Sequence, residues 1–140
     1  MEKLYIEKVI EEINEIVNRD DRLDYILDLG DKIKPMNPND KTEASKVKGC
    51  ASNTYIQCHL IDNKIYFSGD SESLFAKAYL FIMFETFSGL SPLEVLGLDN
   101  KVSELLSQGV SELKLIPSRA NSIYTIYRNI IDNIKKIEHS

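Results

Sequence analysis

The chain has 140 residues, 43% hydrophobic and 28% charged, the balance of a folded soluble protein and not of a disordered one. That length predicts a single domain over 1–140, able to bury about two-thirds of its unfolded surface without disulfide or metal staples. Seventeen Lys and Arg against 22 Asp and Glu give a net charge of -5, which opposes counterion-release binding and excludes a nucleic-acid partner.

Met1 to Ile10 mixes Glu2, Lys3, Glu7 and Lys8 with apolar residues, so it lacks the continuous apolar run of a signal peptide. The expected location is the cytoplasm, where thiols stay reduced. Ile6, Val9, Ile10, Ile13, Ile16 and Val17 recur at three- and four-residue intervals, predicting an amphipathic helix over roughly 3–18. A second, short helix bears Leu23, Ile26, Leu27 and Leu29, with Asp20 or Asp21 as its expected cap and Gly30 as its expected left-handed end. From Lys34 to Lys48 the periodicity stops, and Pro35, Asn37, Pro38, Asn39 and Asp40 predict a long surface loop. Unstructured loops of that length are more often functional than idle.

Thr54 to Ile61 alternates, with Ile56, Cys58 and Leu60 on one face and Tyr55, Gln57 and His59 on the other, as in a half-buried strand. Asp62-Asn63-Lys64 makes a turn, and Ile65 to Phe67 returns antiparallel; a third strand is expected near Leu113 to Ile116. Gly69-Asp70-Ser71 is expected to stop the sheet, with Asp70 or Ser71 capping a helix over Leu74 to Phe87 that is apolar almost all round. Lys77 and Glu85 interrupt that helix, and it is too short to span a bilayer, so no membrane role is expected. Ser91-Pro92-Leu93-Glu94 is a capping box, a polar helix covers about 100–108, and Ser118 is the expected cap of a last helix striped by Ile123, Ile126, Tyr127, Ile130, Ile131, Ile134 and Ile137. Contiguous strands with helices before and after predict an α+β fold, a small antiparallel sheet of about three strands flanked by helices.

Cys50 and Cys58 are the two cysteines. Eight extended residues put them more than about 20 Å apart, beyond a disulfide, and two Cys with two His make no convincing metal set, so no metal is expected. Cys58 lies on the apolar face of its strand and reads as a core residue. Cys50 follows Gly49 at the end of the polar loop, where a thiol is accessible; on local grounds it fits an inert loop cysteine as well as a nucleophile. Lys41, Lys46 and Lys48 against Glu43 make this loop locally positive, which favours a thiolate. Arg119, in the first turn of the last helix, opposes the macrodipole and calls for an anion: a persulfide, a carboxylate of Asp70 or Glu72, or a docked protein.

Gly49-Cys50-Ala51-Ser52, the run Gly69 to Ser73 and the run Pro117 to Asn121 resemble, in order and spacing, the three signatures of SufE-like sulfur acceptors. Leu23 to Ile33 resembles that family's second helix. Tyr55, Ala78 and Ser122 depart from it, standing where an aromatic (often Trp), a Gly and a Gly are usual. The resemblance implies an α+β fold akin to iron-sulfur scaffold proteins, and a chain that is not itself an enzyme. It implies that Cys50 takes persulfide sulfur from a pyridoxal phosphate (PLP)-dependent, SufS-like cysteine desulfurase, stimulates that enzyme, and passes the sulfur to a SufBCD-like iron-sulfur assembly scaffold. The PLP belongs to the desulfurase, and no cofactor is expected on this chain. Gly49, Ala51, Ser52, Asp70, Glu72 and Arg119 are implied to restrain the cysteine loop or dock the partner. A redox-responsive thiol protein and a non-catalytic regulatory interaction domain are the alternatives.

Overall fold

The structure, a computed structural model, describes residues 2–140; Met1, which opens the stretch searched for a leader, lies outside them. The elements run α1 (Tyr5–Glu15), α2 (Arg19–Gly30), β1 (Thr54–Ile61), β2 (Lys64–Ser71), α3 (Leu74–Phe87), α4 (Pro92–Gly97), α5 (Asp99–Leu113) and α6 (Pro117–Glu138). The fold is α+β, as the sequence pattern predicts, with an antiparallel sheet of two strands where about three are expected. Leu113 to Ile116 is no strand: Leu113 ends α5, Lys114 caps it in the left-handed conformation with φ 51°, and Ile116 caps α6. What extends the hairpin edge is the loop before β1, through a single bridge of Lys46 to Tyr55.

The hairpin pairs Thr54 with Ser71 at its open end and Ile61 with Lys64 at its turn. Asp62 and Asn63 both take positive φ, 51° and 61°, the geometry that matches the right-handed twist of two strands joined by a two-residue turn. α3 runs behind the hairpin, and Ala78, Leu80 and Phe87 are fully buried because neighbours cover it on every side. α6 presents Ile126, Ile130, Ile131 and Ile134 to the same core, each 0% exposed. Burial of a side chain of that size contributes about 1.5–3 kcal/mol, so this one stripe holds the longest helix in place.

Several caps differ from expectation for local reasons. Asn18, not Asp20 or Asp21, caps α2, its Oδ1 accepting from Asp20 N at 2.7 Å and Asp21 N at 3.3 Å. Gly30 is not a left-handed terminus but a buried contact point: a Cβ there would lie 2.9 Å from Ala78 N, so its bare backbone lets α2 close on α3. β2 continues through Asp70 and Ser71, and Ser73 caps α3 by accepting from Ala76 N at 3.2 Å. Gly69 belongs within that strand because a Cβ would lie 2.6 Å from Tyr55 O and 2.8 Å from the Phe84 ring. Ser118 is the second residue of α6, which starts from Ile116 with Pro117 at its first position. The capping box Ser91–Glu94 stands as predicted, with Glu94 N donating to Ser91 Oγ at 3.2 Å and Ser91 N to Glu94 Oε1 at 3.0 Å.

Candidate functional site

The loop that bears Cys50 is anchored at its base. Val47 N donates to Thr54 O at 2.8 Å, closing a short excursion over residues 48–53. At its far side Glu72, the residue after β2, grips it twice through Asn53, whose O accepts from Glu72 N at 3.1 Å and whose Nδ2 donates to Glu72 Oε1 at 3.1 Å. Beneath, the buried Thr54 hydroxyl lies 2.8 Å from Ser71 Oγ and 3.3 Å from Ser52 O, while Ser71 Oγ accepts from Ser73 N at 3.1 Å. Asp70 holds the polar stretch that leads into this excursion, its carboxylate 2.8 Å from Lys41 Nζ, and also lies 3.8 Å from Lys77 Nζ of α3. Residues 70–73 thus clamp the far flank of the cysteine segment and the polar stretch that leads into it.

Between the anchors the tip is exposed at Gly49 and Ala51. Gly49 takes φ +89°, a conformation that L side chains rarely adopt, and it turns the chain over α6, where a Cβ would meet Thr125 Cγ2 at 3.5 Å. Cys50 itself is half-buried, its side chain packed on the hydrophobic core beside this helix. That burial pushes the thiol above its ordinary pKa, and a hydrogen bond from the Thr54 side chain pulls it partly back. The loop lysines do not act on it as the sequence predicts: Lys41 is taken up by Asp70, and none of the three perturbs the thiol. Cys50 at rest is therefore a half-buried thiol whose ionisation burial disfavours.

Cys58 sits where its strand register puts it, against the core, and burial pushes its thiol up to about 12. Both cysteines are free. Among the described residues no three His, Cys, Asp or Glu side chains are grouped so as to hold a metal ion, and no helix is long and apolar enough to cross a membrane.

Arg119 is brought to α3 and not to Asp70 or Glu72. Its guanidinium carbon lies 4.0 Å from the centroid of the Phe75 ring, a cation–π contact, and its charge reaches Tyr79 one turn on. The aromatic ring, not a carboxylate, occupies the place of the anion that the sequence calls for. Phe75 is a residue that sequence reasoning missed; as an apolar residue in an all-round apolar helix it gives no signal of its own. Thr54 was missed for a similar reason, since a Thr at a strand start is ordinary until its hydroxyl is seen beneath the thiol.

A family model described as SufE: Fe-S metabolism associated domain matches residues 7–134. An uncharacterized SufE-like protein of Synechocystis sp. is 33% identical over 121 residues, which cover 86% of this chain and 74% of that protein. A solution structure of a hypothetical protein from Thermus thermophilus is similar over 97% of both chains, with a TM-score of 0.69 at 16% identity, a likeness of fold.

Proposed function

Because this chain belongs to the SufE family of Fe-S metabolism associated domains, we propose that it is a sulfur acceptor for a PLP-dependent cysteine desulfurase, with Cys50 as the accepting thiol. The observation that supports this best is the loop of Cys50, anchored at Val47–Thr54 and Asn53–Glu72 and left exposed at Gly49 and Ala51 between them. Such a segment can turn its tip outward without disturbing the sheet.

The proposed step is an exchange at sulfur. The desulfurase presents a persulfide; the Cys50 thiolate attacks its terminal sulfur, a new S–S bond forms on Cys50, the donor's S–S bond breaks, and its electron pair leaves as the donor's cysteine thiolate. The sulfane sulfur moves without net oxidation or reduction. Thiolate fraction and access set the rate of such an attack, and at rest Cys50 is half-buried, with burial disfavouring its ionisation. Partner contact that draws the tip off the core supplies both at once by rehydrating the thiol. The Cys50 persulfide then returns toward the core, sheltered from water, until an iron-sulfur assembly scaffold of SufBCD type takes it. Gly49 provides the turn, Ala51 a small neighbour, Ser52 an acceptor carbonyl for Thr54, Asp70 and Glu72 the clamp, and Arg119 a cation at the α3–α6 contact. The chain needs no cofactor of its own for this step, and the cytoplasm is the compartment in which its thiol stays reduced.

The redox-sensing alternative requires a low-pKa thiol, whereas burial raises that of Cys50. Turnover of a SufS-like desulfurase on free cysteine tests the assignment: wild type stimulates it and Cys50→Ser does not. Equal stimulation by both would leave a regulatory interaction domain in place of an acceptor.

A further inference from the structure

A groove of about 600 Å³ opens beside the cysteine loop, between residues 43–48 and one face of α6. Lys46 and Lys48 line it from the loop, Arg128 and Lys136 from the helix, against the two carboxylates of Glu43 and Asp132. Among the described residues none of these four cations makes an ion pair, although both carboxylates lie in the same groove. The patch is positive on a chain of net charge -5, so the remaining surface is more negative than the whole. Thr125, the residue against which Gly49 turns, is part of its wall, so the groove begins where the Cys50 tip rests.

Four unpaired cations in one concave surface attract a negative chain segment, and the acidic remainder of the molecule repels the same segment everywhere else. The effect is orientational: an acidic partner is guided to the face from which Cys50 emerges. We infer that this groove docks an acidic segment of the sulfur-donating protein and so delivers the donor to the cysteine loop. The identity of that partner rests on the sulfur-acceptor reading; the charge and placement of the groove do not.

The test is the affinity of a SufS-like cysteine desulfurase for the Cys50→Ser chain, in which no sulfur moves, compared with the same chain carrying Lys48→Glu and Arg128→Glu. Both side chains are exposed, and an unchanged melting curve shows that the variant is folded. Exposed charge pairs contribute modestly each, so two reversals are expected to weaken binding about tenfold at low salt. The gap should narrow when salt brings the Debye length to about 8 Å. Lys48→Gln with Arg128→Gln should fall between, and Lys48→Arg with Arg128→Lys should match the parent. Equal affinity across all of these overturns the inference, as does the absence of any binding. So does a wild type whose self-association, and not its desulfurase binding, is what the reversal abolishes. The two readings fail separately. Sulfur transfer to Cys50 with affinity untouched by charge reversal removes the groove alone, whereas charge-sensitive binding without sulfur transfer removes the acceptor role and leaves the groove.

Discussion

Cys50 combines two properties that oppose each other, a position at an exposed turn and a thiol whose pKa burial raises. Alkylation by iodoacetamide should therefore follow a titration whose midpoint lies above that of an ordinary thiol, while Cys58, pushed up to about 12, reacts far more slowly. A mass spectrum after brief alkylation of the folded protein is expected to show one adduct, on Cys50. Thr54→Val removes the hydrogen bond that lowers this pKa and should move the midpoint higher still; a midpoint below the ordinary value would contradict the geometry. At Arg119 the measurable loss is small: Arg119→Ala removes a cation–π contact worth about 0.5–1 kcal/mol at such a site, read as a slight fall in melting temperature. That the chain belongs to the SufE family is legible in the order of three short motifs, one of them around Cys50. That the lysines near Cys50 do not lower its pKa is not, because Lys41 is claimed by Asp70, 29 residues away, and charge runs do not reveal their partners.

The hairpin, the apolar central helix and the striped last helix are legible because alternation and a 3.6-residue period are set by the chain itself. The caps are less so. Asn18 and Ser73 have Asp and Ser neighbours that would cap equally well on propensity, and only the path of the chain distinguishes them. The two interior glycines read as stop signals, since sequence shows that a side chain is missing but not what lies opposite. Gly30→Ala should cost about 1–3 kcal/mol by driving a methyl against the backbone of α3, and Gly69→Ala a similar amount against β1 and Phe84. Urea denaturation would show both as a lowered midpoint with an unchanged slope. A neutral Gly30→Ala would mean that α2 does not approach α3 so closely. The clamp formed by the end of β2 has a pH signature too. Desolvation alone would raise the Asp70 pKa, but the Lys41 hydrogen bond, the Ser71 N–H and the two lysine charges outweigh it and hold the carboxyl below its ordinary value. The clamp's contribution is then present above the unfolded carboxylate pKa and is lost as pH falls through the lowered one. In Asp70→Asn that acid loss should be smaller, seen as a flatter fall of melting temperature from neutral to acid pH.

At the scale of the whole molecule, the α6 stripe and α3 make a fixed core, and the cysteine segment is a small excursion pinned to it at two points. A fixed frame with one short excursion would suit the proposed sulfur hand-over, because only a few residues would have to move. Membership of the SufE family places the chain in Fe-S metabolism, and the direction of sulfur flow through Cys50 is the claim on which the account turns. Intact-mass measurement after incubation with a SufS-like desulfurase and cysteine tests it most directly. Wild type should gain the mass of one or more sulfur atoms, lost again on reduction, and Cys50→Ser should gain none; sulfur added equally to Cys50→Ser, or to neither protein, would contradict it.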